Sequence, residues 1–269
     1  MSSQTRTETD SLGSVEIPAN AYWGVHTARA HENFPIARRP ISVYPDFVRA
    51  FACVKQAAAR ANLEISALDE QRATLIDRAC EEIKTGMLHD QFVVGVVQGG
   101  AGTSTNMNAN EVITNRALEL AGRPKGDYAF INPNDHTNHS QSTNDTYPTA
   151  IKIALAFSLR SLLDELELLA DSFAAKGREF ANIIKVGRTQ LQDAVPMTLG
   201  QEFTAFSVTL REDIERLAEA AKLLHEVNMG ATAIGTGINA PKGYREAVIR
   251  HLREITGLEL VTARDLVES

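Results

Sequence analysis

The sequence predicts a mainly α-helical fold in which a small N-terminal mixed helical domain precedes the long helices of a bundle. The chief observation is that apolar side chains recur at spacings of three and four through residues 148–176 and again through residues 198–227. As a helix, each segment would be about 40 Å long at 1.5 Å per residue. Helices of this length with such stripes are typical of bundles, in which the stripes form core or subunit contacts.

The N-terminal part of the chain, up to residue 45, shows the weakest helical pattern. Residues 1–10 are polar, and we expect them to be frayed. Residues 11–45 are interrupted by glycine, proline and aromatic residues, which predicts extended or turn structure with a short hairpin. The only tryptophan of the chain, Trp23, lies in this arm and indicates that the arm is ordered.

Shorter segments with a helical period fill much of the remaining chain. They cover residues 46–63, 69–85, 104–121 and 242–255. Gly122 and Gly257 follow two of them as stops, since glycine readily adopts the left-handed conformation that ends a helix. Thr198 and Gln201 have the spacing of a capping box at the start of the second long segment.

Composition limits the classes of function. The net charge is −7 and no long basic cluster occurs, which argues against a nucleic-acid or anionic-membrane surface. No apolar run reaches the length of a membrane span and the N-terminus lacks an apolar signal core, so we expect a cytoplasmic protein. Cys53 and Cys80 lie within predicted helices, which favours two ordinary core thiols over a disulfide or a metal site.

A glycine-rich run, Gln-Gly-Gly-Ala-Gly-Thr at residues 98–103, leads into the third of these helices. Such a loop favours an anion, because backbone N–H groups at a helix start and the helix dipole both attract negative charge. A nucleotide is disfavoured, because no Lys-Ser/Thr pair follows the glycines and Thr105 stands where a dinucleotide fingerprint needs its third glycine. The alternative is that the glycines serve only close helix packing.

Residues 132–146 contain no aliphatic or aromatic side chain, although a long apolar-periodic segment follows directly. Their hydroxyls and amides compete with helix and sheet by bonding nearby backbone groups, so we predict an irregular loop. A polar loop mounted on a long helix can form a binding site, and a solvated loop that caps the helix is an equally weighted alternative. A second polar patch lies at residues 186–197.

Three polar loops therefore supply neutral hydrogen-bonding side chains beside helix ends. Such groups suit a carboxylate, and a developing aci-carboxylate, better than they suit a metal ion. His136 and His139, with Asp135, form a weaker metal candidate, because their spacing of three differs from the zincin pattern; a role in a turn or helix cap is favoured. The candidate binding residues are Thr103, Ser142, Thr143, Asn144, Thr189 and Gln190.

Several stretches of the chain are similar, in the same order, to motif regions of the aspartase/fumarase superfamily. They are DSLG at residues 10–13, YWG at 22–24, GAGTSTNMNANEV at 100–112, SQSTND at 140–145 and GRTQLQDA at 187–194. The resemblance extends over essentially the whole chain. Fumarases usually carry serine where Ala101 stands and histidine where Gln190 stands, so the chain resembles the aspartate ammonia-lyases within the superfamily.

This resemblance implies an ammonia-lyase that reversibly converts L-aspartate into fumarate and ammonia through an enediolate, without a cofactor. It also implies a homotetramer whose sites are assembled from several subunits. The family's pattern divides the candidate residues by the group that each would hold: Thr103, Ser142 and Thr143 for the β-carboxylate, Asn144 and Gln190 for the amino group, and Thr189 for the α-carboxylate.

The chain departs from the family in length, since it stops at Ser269. Family members continue into a Gly-Ser-Ser-x-Met-Pro-x-Lys-x-Asn loop whose serine is the base. The general-base serine is therefore expected beyond Ser269, and we expect residues 1–269 alone to be inactive or nearly so. We assign residues 1–140 to an N-terminal domain and residues 141–269 to the incomplete start of the central helical bundle.

Two alternatives to the ammonia-lyase interpretation stay open. One is a fumarate hydratase, which uses water in place of ammonia. The other is a non-catalytic helical fragment that oligomerises through its apolar stripes.

Overall fold

The computed structural model describes residues 4–268, which pack into two compact units. The first unit contains the chain up to Leu155 together with the segment from His225 onwards, and the second contains Ala156–Leu224. Helices dominate both, so the predicted mainly α-helical class is confirmed. Within the described range, no helix combines the length and the apolar character that crossing a membrane requires. The domain boundary between residues 140 and 141 stays a prediction.

The first unit begins with an antiparallel hairpin of β1 (Thr5–Asp10) and β2 (Gly13–Pro18). The prediction of a frayed start is therefore wrong for β1, while residues 1–3 lie outside the described range. Contacts between the two strands explain why this segment is structured, since the Thr7 hydroxyl donates to the Glu16 carboxylate at 2.5 Å. The predicted hairpin exists, but it begins earlier in the chain than the arm in which we expected it.

Helix α1 (Val25–Asn33) forms where we predicted extended or turn structure. Its N-cap residue, Gly24, provides no side-chain cap, and the missing acceptor comes from a distant helix. The buried carboxylate of Glu111 accepts the backbone N–H groups of Gly24 and His26 at 2.8 Å each. Such acceptors satisfy the free N–H groups of a helix start, and negative charge there also favours the helix dipole.

Three predicted helices follow, each confirmed within one residue at both ends. They are α2 (Pro45–Glu64), α3 (Glu70–Lys84) and α4 (Thr103–Leu120). The alanine-rich α2 is almost entirely buried and packs against α3, because small side chains let the helices approach. Cys53 and Cys80 are buried thiols between these helices, and burial raises the pKa of Cys53 to about 11. Their interpretation as core residues is confirmed.

The first long helix, α5 (Thr143–Glu179), begins one turn earlier than predicted. The irregular-loop prediction is therefore wrong for residues 143–146. Pro148 favours a later start, because a proline inside a helix leaves a preceding carbonyl without its N–H donor. Here Asn228, from the far end of the first unit, replaces that donor: its Nδ2 donates to the Asn144 carbonyl oxygen at 3.1 Å. A long-range contact thus permits the extra turn.

The second unit contains the rest of α5, a hairpin and the second long helix. The new elements are β3 (Ile184–Thr189), β4 (Gln192–Thr198) and α6 (Leu199–Ala221). The predicted capping box is confirmed, with Thr198 Oγ1 accepting the Gln201 N–H at 3.1 Å. The polar patch expected between the long helices is therefore mostly a two-stranded hairpin.

Helices α5 and α6 meet in the second unit through glycines. A Cβ atom at Gly200 would lie 2.5 Å from the Gly177 carbonyl oxygen, so only glycine allows this approach. The apolar stripes of both helices stay partly exposed, and the side chains of Leu162 and Phe206 are 48% and 45% accessible. Exposed stripes of this kind are typical of surfaces that another element covers.

The chain re-enters the first unit after α6. The second long helix stops earlier than predicted, because Lys222–His225 forms a 3-10 turn and β5 (Glu226–Val227) is a strand. This strand pairs in parallel with β6 (Val261–Thr262), a distant partner that the local pattern does not reveal. Between them, α7 (Tyr244–Thr256) confirms the last predicted helix and ends, as expected, at Gly257 with φ +68°.

Candidate active site

The loop before α4 is shaped by its glycines and by one capping side chain. Gly102 has φ +93°, and a Cβ there would overlap the ring of Tyr147, so the close-packing role of this glycine is confirmed. Gln98 Oε1 accepts the Thr105 N–H at 2.9 Å, which occupies one donor of the helix start. Thr103 is exposed, and its hydroxyl donates to a backbone oxygen of the loop at 2.6 Å. The anion site at this helix start stays a prediction.

Ser142, Thr143 and Asn144 lie together where α5 begins. Thr143 Oγ1 accepts Asn106 Nδ2 at 3.1 Å, and this contact joins the starts of α5 and α4. Ser142 Oγ accepts the Asn144 N–H at 3.2 Å. Thr103 lies on α4 three residues before Asn106, a spacing that places both on one side of the helix. The structure thus gathers four of the predicted residues around two helix starts.

A fully buried lysine, which sequence reasoning missed, lies against this polar group. Burial lowers the pKa of Lys55 to about 7, and the Asp145 carboxylate opposes that change. Its only signal in the sequence is a lysine inside the alanine-rich stretch of α2. Three amide oxygens accept hydrogen bonds from its Nζ: Asn106 Oδ1 at 2.6 Å, Asn138 Oδ1 at 2.9 Å and Gln141 Oε1 at 2.9 Å.

Asp145, also missed from the sequence, ties the start of α5 to the loop after β5. Its Oδ1 accepts the Ser142 N–H at 3.0 Å. Its Oδ2 accepts the N–H groups of Gly230 and Thr232 at 3.2 and 2.9 Å. Burial raises the pKa of Asp145 to about 6, against the effect of these backbone hydrogen bonds and of nearby Lys55. This carboxylate holds the residues around Ser142 in place.

The two histidines of the polar loop serve its backbone. Pro133–Thr137 forms a single π-helical turn, in which His136 Nδ1 accepts the Asn132 N–H at 2.8 Å. Burial lowers the pKa of His136, in keeping with a neutral ring that accepts. His139 Nδ1 lies 2.9 Å from the Asp135 carbonyl oxygen. The turn-forming interpretation of both histidines is confirmed.

The remaining two candidates, Thr189 and Gln190, belong to the second unit. Thr189 ends β3, Gln190 starts the two-residue turn to β4, and both side chains are exposed. Gln190 has φ +54°, a conformation that is uncommon for a residue other than glycine. The favoured two-residue hairpin turns require a positive φ at their first central residue, so the turn itself accounts for this conformation. Their roles stay predictions.

The family resemblance implies a general base that lies outside this chain. Ser269 itself lies outside the described residues, so the structure says nothing of its surroundings. The expectation of a general-base serine beyond Ser269 therefore stays a prediction.

A family model described as Lyase matches residues 13–269. The chain belongs to this lyase family. The chain is 53% identical to the aspartate ammonia-lyase of Escherichia coli (strain K12) over 270 residues, which is 100% of this chain and 56% of that relative. It is 50% identical to the aspartate ammonia-lyase of Helicobacter pylori over 98% of this chain and 56% of that relative. The chain therefore spans just over half the length of these relatives.

Solved structures share the fold. The match to the fumarate lyase:delta crystallin from Brucella melitensis has a TM-score of 0.95 at 57% identity, covering 98% of this chain and 58% of that one. The match to a class II fumarase from Schistosoma mansoni has a TM-score of 0.89 at 32% identity, with the same coverage of 98% and 58%. The superfamily resemblance and the fold class predicted from the sequence are confirmed.

Proposed function

We propose that the complete lyase catalyses the reversible deamination of L-aspartate to fumarate and ammonia. The observation that carries the proposal is the identity of 50–54% to aspartate ammonia-lyases over at least 98% of this chain. Gln190 supports it, since the resemblance associates glutamine at this position with ammonia-lyases. The neutral donors around the starts of α4 and α5 are also suited to a dicarboxylate.

In this reaction the carbon next to the β-carboxylate loses a proton, and the negative charge spreads onto that carboxylate as an enediolate. The electron pair then forms the carbon–carbon double bond while the carbon–nitrogen bond breaks and ammonia leaves. Fixed donors accelerate the reaction when they bind the enediolate more strongly than the ground-state carboxylate. We assign this role to the hydroxyls of Thr103, Ser142 and Thr143.

The substrate's amino group needs hydrogen-bond acceptors, and Asn144 is suited to supply one. Its Nδ2 already donates to the Ala233 carbonyl oxygen at 2.7 Å, so its Oδ1 is the atom left to accept. Asn144 is also exposed at the start of α5. We assign Asn144 and Gln190 to the amino group, and Thr189 to the α-carboxylate.

The general base is placed beyond Ser269 in this proposal. Among residues 4–268, no histidine or carboxylate side chain bonds the hydroxyls of Thr103, Ser142 or Thr143, so none of the three is activated as a base. The resemblance assigns the base to a serine in the loop that family members carry after this segment.

We also propose that the complete lyase is a cytoplasmic homotetramer whose sites are shared between subunits. Partly exposed apolar side chains along α5 and α6 support an interface, because a soluble protein rarely leaves such stripes uncovered. They include Leu155 at 51%, Leu162 at 48% and Phe206 at 45% accessibility.

The proposed reaction is tested by the choice between L-aspartate and L-malate. We expect the complete lyase to form fumarate from L-aspartate and not from L-malate, measured by the ultraviolet absorbance of fumarate. Fumarate with ammonium should be consumed in the reverse direction, and fumarate in water alone should not. The fumarase similarity makes fumarate hydratase the second candidate. Turnover of malate without turnover of aspartate would establish that candidate and refute ours.

Replacing Thr143 by valine should lower kcat for aspartate by about 10²-fold, typical for the loss of one donor to a developing oxyanion. The substitution keeps the size of the side chain but removes its hydroxyl. Thr149→Val is a matched control on the same helix, because that buried hydroxyl bonds Asn228 at 3.4 Å instead. Steady-state kinetics decide: a raised KM with unchanged kcat would indicate uniform substrate binding and contradict the assigned role.

A further inference from the structure

The hydrogen bonds around Lys55 determine which way a neighbouring amide points. Lys55 Nζ donates to three amide oxygens, which uses the three N–H donors of an ammonium group, and the Asn106 atom at 2.6 Å is therefore the carbonyl oxygen, Oδ1. The Thr146 hydroxyl also lies 3.3 Å from this oxygen, but its shorter bond, at 2.9 Å, is to the Ser142 carbonyl oxygen. The Lys55 donor therefore determines the orientation of the Asn106 amide.

The orientation of Asn106 in turn determines the role of the Thr143 hydroxyl. Asn106 Nδ2 faces Thr143 Oγ1 at 3.1 Å and Asn138 Oδ1 at 3.1 Å. An amide NH₂ group can only donate, so Thr143 Oγ1 accepts this bond. The hydroxyl proton of Thr143 is then directed away from Asn106. In the described part of the chain, no other hydrogen bond of this hydroxyl occurs.

We propose that Asn106, oriented by Lys55, is a positioning residue that makes the Thr143 hydroxyl a donor toward the substrate carboxylate. This inference rests on the proposed function, which places Thr143 at the carboxylate that gains charge. A hydroxyl rotates freely unless a neighbour fixes it, and a donor already aimed at the oxyanion needs no reorganisation during the reaction. Asn106 is itself 2% exposed and lies behind Thr143 rather than at the surface.

The sharpest test reverses the polarity of this contact in the complete lyase. Asn106→Asp keeps the shape of the side chain, but its carboxylate accepts the Thr143 proton, so kcat for aspartate should fall by about 10²-fold, as for loss of the donor. Asn106→Ala only releases the Thr143 hydroxyl, which still samples the productive rotamer. Its kcat should therefore fall by only about tenfold. A purely structural role predicts the opposite order, because alanine leaves a cavity that aspartate fills.

A double-mutant cycle with Thr143→Val separates this mechanism from a general disturbance. In the valine background, the further effect of Asn106→Asp on kcat should shrink below about threefold, because the hydroxyl that it captures is absent. If Asn106→Asp does not fold, Asn106→Ala takes its place in the same cycle. Asn110→Asp is the matched control, since Asn110 Nδ2 also donates to Asn138 Oδ1 at 3.1 Å but does not contact Thr143. It should keep kcat close to the wild-type value.

The outcomes distinguish the two proposals. A wild-type lyase without aspartate turnover would overturn the proposed function and this inference together. A wild-type lyase that turns over aspartate, with losses for Asn106 and Thr143 that multiply, would overturn only the positioning role. A loss in Asn110→Asp equal to that in Asn106→Asp would overturn it as well. We expect the losses of kcat for Asn106→Asp and Thr143→Val not to multiply in the double variant. We also expect Asn110→Asp to keep kcat close to the wild-type value.

Discussion

An isolated polypeptide of residues 1–269 should release no fumarate from L-aspartate above background. Abstraction of the carbon-bound proton needs a base, and the candidate hydroxyls on the first unit contact only amide and backbone groups. The polar-loop histidines are bonded into the backbone of their turn. If the base lies beyond Ser269, as proposed, residues 1–269 cannot complete the chemical step even where substrate still binds.

The measurement is fumarate absorbance during prolonged incubation of the purified polypeptide with L-aspartate. The complete lyase at equal concentration is the positive control, and circular dichroism establishes that the helices of the polypeptide are formed. Robust fumarate production would contradict the prediction and would place the base among these residues. In that case His136, His139 and His26 would be the first residues to substitute.

Replacing Asp145 by alanine should lower the free energy of unfolding of the complete lyase by about 3–5 kcal/mol, the usual effect of removing one partner from a buried charged contact. The substitution leaves the N–H groups of Ser142, Gly230 and Thr232 without their acceptor. It also removes a carboxylate charge that favours the Lys55 ammonium. The shift of the denaturant midpoint measures the effect.

Two comparisons make the Asp145 experiment specific. Asp171→Ala removes an exposed carboxylate paired with Arg211 on the surface, and it should cost less than about 1 kcal/mol.

Asp145→Asn tests how the charge of Asp145 changes the free energy of unfolding with pH. Because burial raises the folded-state pKa of Asp145 to about 6 from an ordinary 3.8, the folded state holds this proton more tightly. The stability contributed by the aspartate therefore falls as pH rises from about 4 to 6, and Asp145→Asn should lose that slope. Equal losses in Asp145→Ala and Asp171→Ala would contradict a buried role.

The pattern of neighbouring residues predicted those parts of the fold that are stabilised by contacts within the same segment of the chain. The helices at Pro45–Glu64, Glu70–Lys84 and Thr103–Leu120 have the right period, and their ends were predicted within one residue. The capping box at Thr198 and the stop at Gly257 are also determined by neighbouring residues in the chain. Nothing distant is needed to form these features, so the sequence suffices to identify them.

Distant partners explain the elements that local pattern missed. Helix α1 has no cap of its own and depends on the Glu111 carboxylate of α4. The first turn of α5 tolerates Pro148 because Asn228 donates to the carbonyl oxygen that proline leaves free. The two hydrogen-bond partners lie 87 and 84 residues away along the chain. A prediction from a short stretch of neighbouring residues cannot include such a partner.

The sequence by itself determined the fold class, the family resemblance and the candidate residues Thr103, Ser142, Thr143 and Asn144, because these depend on residue types at fixed spacings. The tertiary structure alone decided that Lys55 and Asp145 are buried beside those residues. By composition, lysine and aspartate belong on the surface, since burial of a charge is costly. Only the folded chain supplies the three amide oxygens around Lys55 Nζ and the backbone N–H groups around Asp145 that offset this cost.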